Sequence, residues 1–161
     1  MSRAGLERTA KPSLLDRLVD LTPREPADLP LTQEESIRAY RNSVLRDLEW
    51  LLNTRRTIVE VPDGFPNLEE STFFYGLPDV SSMSADSREV RQGLVRGIER
   101  TVQHFEPRLK DVRVSLVPDQ DRDQQIRFVI EGILDMEPNP ERVVFDSVID
   151  ITSGDISVGS S

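Results

Sequence analysis

A carboxylate and a guanidinium flank a proline at Glu106-Pro107-Arg108. Proline fixes its own φ, so the two charged side chains leave a rigid corner in defined directions. Arginine can grip a carboxylate through two parallel hydrogen bonds. Charge and geometry alone make this triplet either a helix stop with flanking charges or a docking corner. The other groupings that could do chemistry lead less far. Asp119-Gln120-Asp121-Arg122-Asp123 opens like a calcium loop, but Gln124 stands where the sharp turn needs glycine and Ile130 where the ion needs a bidentate glutamate. It is therefore read as a solvated hairpin tip. His104 is the only histidine, so any Ser-His-Asp arrangement would have to use it. It falls in the last turn of a helix, where the dipole favours a cation, and is read as a surface residue. No glycine-rich phosphate loop and no G-x-S-x-G segment occurs. No catalytic, cofactor-binding or metal-ligating residue is assigned.

The elements that must position the triplet are set by composition and period. The 161 residues suit one domain with a core of useful size. There is no cysteine, so disulfides and thiol chemistry are excluded, and one histidine makes a zinc site a poor fit. Twenty basic against 29 acidic residues give a net charge of −9, which disfavours nucleic acid and anionic lipid as partners. Met1 to Gly5 leads into no apolar run and no stretch is long enough for a membrane helix, so a cytoplasmic protein without membrane insertion is expected.

Residues 1–30 read as an arm. Leu14, Leu15 and Leu18 share one face of a short amphipathic segment, and Pro23, Pro26 and Pro30 prevent its continuation. A helix this short is marginal alone, so Leu14 and Leu18 are expected to dock, on a partner or on the chain's own domain. One folded domain is expected over 31–152. Thr32 and Glu35 form a capping box at the start of a long helix. Ile37, Tyr40, Val44, Leu48, Leu51 and Leu52 then make one helical stripe, with Trp50 off it and expected to be covered by the following loop. Residues 56–85 are read as an ordered loop carrying Phe73, Phe74 and Tyr75 into the core. A second helix is expected from about Asp86, with Val90, Leu94, Ile98 and Val102 on its apolar face and Pro107 ending it. The period then falls to two in segments around Val112–Leu116, Ile126–Met136 and Val143–Ile151. These predict three antiparallel strands in meander order. Thr152 onward is Ser/Gly-rich, and 153–161 is read as a flexible tail. The fold class expected is α+β, with N-terminal helices and an ordered loop packed on a C-terminal three-stranded antiparallel sheet.

Three segments in order, Leu51-Leu52-Asn53-Thr54-Arg55, Tyr75-Gly76-Leu77-Pro78-Asp79 and Phe105-Glu106-Pro107-Arg108-Leu109, followed by alternating strands, resemble the small baseplate wedge proteins of contractile injection machines. Among these they are similar to the type VI secretion baseplate family TssE. The resemblance covers roughly residues 30–155. It implies a structural subunit, assembled on a membrane-docked baseplate, that packs against TssF/TssG-like wedge subunits and starts polymerisation of a TssB/TssC-like sheath. It further implies that Glu106, Pro107 and Arg108 lie at the sheath contact.

The competing reading is a lysozyme-like glycoside hydrolase, because relatives of such proteins have carried that label. Glycoside hydrolysis needs two carboxylates roughly 5–9.5 Å apart across a cleft. The acidic residues here fall on helix exteriors, strand outer faces and turns, and none lies inside an apolar helix stripe where burial would tune it for acid catalysis.

Overall fold

The computed structural model describes residues 13–19, 32–59, 61, 63–68, 71–79, 87–118, 125–136 and 139–160. The Asp119–Asp123 run lies outside them, as does most of the 1–30 arm. Among the described residues, three helices, α1 (Leu14–Leu18), α2 (Gln33–Asn53) and α3 (Arg88–Phe105), precede four strands, β1 (Leu109–Leu116), β2 (Gln125–Leu134), β3 (Glu141–Asp150) and β4 (Ile156–Ser160). Two short 3-10 turns, Pro66–Leu68 and Thr72–Phe74, lie between α2 and α3. The class is α+β. No helix among the described residues is long and apolar enough to cross a membrane.

α2 starts at the expected capping box. The Thr32 hydroxyl accepts from Glu35 N–H, and the Glu35 carboxylate accepts from Thr32 N–H at 2.9 Å. α3 is capped one residue later than expected: the Ser87 hydroxyl accepts from Val90 N–H. The apolar stripes of both helices are buried at Val44, Leu48, Leu51, Leu52, Leu94, Ile98 and Val102, while Ile37 and Tyr40 are half-buried at the rim.

The sheet is antiparallel in the order β1-β2-β3-β4. The expected count of three strands is therefore corrected to four. Ile156–Ser160, assigned by its Ser/Gly content to a flexible tail, pairs with β3 from Ile149↔Ile156 to Phe145↔Ser160. Its Ile156 and Val158 are buried, and that apolar alternation outweighs the small residues between them. One face of the sheet is stacked in cross-strand rows under the helices. Val114, Ile130 and Phe145 form one row, and Phe128, Ser147 and Val158 another. Leu48, Leu94, Ile98, Phe128 and Phe145 all lie in this single core, as their periodicity predicts. β1 carries an irregularity between Lys110 and Arg113, with Asp111 at φ 51°. Gly132 lies beside it, where a Cβ would stand 2.7 Å from Leu109 Cγ.

Candidate functional site

The triplet sits where α3 turns into β1. Glu106 is the C-cap of α3, and its N–H still reaches Val102 O at 2.9 Å. The backbone then turns and Leu109 begins the sheet. Glu106 is buried, Pro107 is exposed, and Arg108 is half-buried. Arg108 Nε donates to Glu106 Oε1 at 2.6 Å, and Nη2 donates to the other carboxylate oxygen. The grip across the proline is thus made within the chain. It also extends across to α2, where Arg108 Nη2 donates to Asp47 Oδ2 at 2.6 Å and Nη1 to Ser43 Oγ at 3.0 Å. The guanidinium lies 5.9 Å from the Tyr40 ring. Burial alone would lower the Arg108 pKa, but the hydrogen bonds and charges of Glu106, then Asp47, outweigh it and raise it.

The same network holds the arm. Ser43 Oγ, which accepts from Arg108, donates to Asp16 Oδ2 at 2.7 Å. Arg46 Nη2 donates to Asp16 Oδ1 at 2.7 Å, and Arg46 Nε to Asp47 Oδ1 at 3.1 Å. Burial would raise the Asp16 carboxyl, but bonds from Ser13, Ser43 and Arg46 hold it well below the usual range. α1 is therefore docked by its polar side. Leu14, Leu15, Leu18 and Val19 face outward, with Leu14 72 % and Leu18 74 % exposed. The sequence brings Leu14 and Leu18 to one surface, but not into the chain's own core.

The other two segments close a second junction, at the far end of α2. Asn53 grips the backbone of Ile156 twice: its Nδ2 donates to Ile156 O at 2.7 Å and its Oδ1 accepts from Ile156 N–H at 2.8 Å. Leu77 N–H donates to Thr54 O and Arg56 N–H to Leu77 O, each at 2.9 Å, in a parallel bridge between Arg55 and Leu77. Gly76 has φ 105°, and a Cβ there would lie 2.1 Å from Thr54 O. Only glycine fits both demands. Asn53, Asp16, Ser43 and Asp47 escaped the sequence reading as site residues. Asn53 lay inside a segment already singled out, while the other three lie off every apolar stripe and give no local signal.

The two sheet edges differ. Along β1, Val112 O accepts from Gln103 Nε2 at 3.2 Å and Val114 N–H donates to Glu99 Oε2 at 3.0 Å, so α3 guards that edge midway. Along β4, Asp150 N–H donates to Asp155 O at 2.9 Å. This fixes the alternation, so the backbone groups of Ile156, Val158 and Ser160 turn away from β3. Asn53 occupies Ile156 alone. Val158 and Ser160 meet no protein partner on that side among the described residues.

Two expectations about aromatic residues are corrected. Trp50 is not covered by the following loop: it is 55 % exposed, with the Arg46 guanidinium 5.0 Å over its ring. Of the loop aromatics, Tyr75 packs on Phe105 at 5.2 Å, but Phe73 is largely exposed because its short 3-10 turn directs only one side inward.

Among the described residues, the site consists of polar junctions and an open strand edge. No curated protein matches the chain. Residues 38–139 match the family described as baseplate wedge protein gp25. That span holds most of α2, all of α3, β1 and β2, and the segments 51–55, 75–79 and 105–109. The chain belongs to the baseplate wedge protein gp25 family, which is the family of TssE and a structural one.

Proposed function

We propose that this chain is a non-enzymatic subunit of a type VI baseplate that links the wedge core to the sheath and starts sheath polymerisation. The observation that carries this reading is the open outer edge of β4 beyond Ile156. An exposed row of N–H and C=O groups is a template for another strand. Asn53 holds the start of β4 in place, so the edge is preorganised for a TssB/TssC-like sheath segment. The Glu106–Pro107–Arg108 corner serves the same assembly, with Pro107 at the surface and the two charges locking its direction. The outward leucines of α1 take TssF/TssG-like wedge helices. The subunit works in the cytoplasm on a membrane-docked baseplate. The glycosidase reading gains nothing from the site, because the buried Glu106 carboxylate is gripped by Arg108 rather than facing a cleft.

The test is Ser160→Pro. The Ser160 N–H faces outward, so proline removes a donor from the open edge without removing a bond to β3. The variant should fold, enter the baseplate and start few sheaths, read as sheath foci in cells at normal protein abundance. Wild-type numbers of full-length, contracting sheaths would overturn the assignment of the β4 edge.

A further inference from the structure

α3 runs antiparallel along the outer edge of β1. Gln103 meets Val112 and Glu99 meets Val114. Four helical residues rise about 6 Å and two strand residues about 6.6 Å, so the steps keep pace. The next step brings Val95, flanked by Gln92 and Arg96, to Leu116. There the guarding stops and a groove opens. Its outer part, of about 420 Å³, is lined by Arg88, Arg91, Gln92 and Leu116. An adjoining part of about 270 Å³ is lined by Gln92, Val95, Arg96, Val114, Ser115 and Leu116.

Three features meet in this groove. The floor is apolar, from Val95, Val114 and Leu116. The rim is cationic, from Arg88, Arg91 and Arg96, on a chain whose net charge is −9. The strand edge is open as well: Val117 N–H donates to Arg127 O at 2.9 Å, so the Leu116 backbone turns away from β2 into the groove. Among the described residues no side chain satisfies it as Glu99 satisfies Val114.

We propose that this groove binds an extended acidic segment of a partner protein. The segment would pair its backbone with Leu116, set an apolar side chain on Val95 and Val114, and place carboxylates against Arg88 and Arg96. Pairing gives the direction, and the arginines select acidic over basic sequences. The site is separate from the β4 edge, and its chemistry is different.

The probe is a short fluorescent peptide alternating glutamate with valine, titrated into the full chain and followed by anisotropy and by amide spectra. It should bind with an affinity that falls with salt, and should protect the Leu116 amide from exchange. Arg88→Glu combined with Arg96→Glu should weaken it by on the order of tenfold or more. Both residues are exposed, so the circular dichroism should be unchanged. A peptide with lysine in place of glutamate should not bind, and backbone N-methylation of the acidic one should abolish binding. Equal binding of the lysine peptide, or unchanged affinity of the double variant, would overturn the proposal. So would acidic-peptide binding that leaves the Leu116 amide unprotected.

Discussion

At the residue scale, the charged pair flanking Pro107 is a closed internal grip as much as a surface feature. Glu106 is nearly sealed from solvent, at 5 % side-chain exposure, and Arg108 is its partner. Arg108→Ala would leave a buried carboxylate with no counter-charge, and we expect a loss of roughly 3–5 kcal/mol in urea unfolding. Arg108→Lys should recover only part of it, because a point charge cannot reach Glu106, Asp47 and Ser43 together. A loss below about 1 kcal/mol for Arg108→Ala would show that water replaces the guanidinium without cost. The rigid corner was legible in sequence, because a proline between opposite charges at a helix end has local meaning. Its partners were not, because Ser43 and Asp47 lie more than sixty residues away and meet Arg108 only after α2 and α3 pack. Gly76 is the reverse case. Its segment carries part of the family resemblance, but its physical demand exists only beside Thr54. Gly76→Ala sets a Cβ against Thr54 O at a left-handed φ, and should cost about 2 kcal/mol or more by the same measurement.

At the scale of elements, strands and long helices follow from period and caps, and β4 marks where that reading fails. A five-residue strand carrying only two buried apolar side chains is a weak period, and its Ser and Gly content resembles a terminus. It exists because Asn53 and β3 hold its two sides. The arm helix shows a different limit. Its leucines read as a docking face, and the structure turns that face outward by anchoring Asp16 beneath it. Asp16→Asn should release α1 and raise its proteolytic sensitivity while the core unfolds at nearly the same temperature. The anchor is also tied to pH. Because the folded-state pKa of Asp16 is depressed, its contribution is present above the ordinary value of 3.8 and is lost as the pH falls through the lower folded-state value. Protection of α1 should therefore be flat from neutral pH to about 5 and should decline only in stronger acid. A decline near pH 6 to 7 would mean that Asp16 is not the group that holds the arm.

At the scale of the whole molecule, α2 is the shared axis of the two junctions. Its middle carries Ser43, Arg46 and Asp47 against α1 and the triplet. Its C-terminal end carries Asn53 and Thr54 against β4 and Leu77. The same helix packs Val44, Leu48 and Leu51 into the core. The two proposed docking surfaces, the outward leucines and the β4 edge, are therefore held by the middle and the C-terminal end of one helix and share no residue. Effects at such sites should be independent unless the core itself yields. Phe128→Ala, which opens the core by on the order of 3–5 kcal/mol, should impair both surfaces together. Removing residues 1–20 should abolish capture of the wedge subunits while leaving binding to the sheath subunits intact. Ser160→Pro should give the opposite pattern. The measurement is a pull-down of each variant against purified wedge and sheath subunits separately, with unfolding curves in parallel. If either single-surface variant loses both partners while its unfolding midpoint is unchanged, the two surfaces are one interface, and the separation of roles along α2 is wrong.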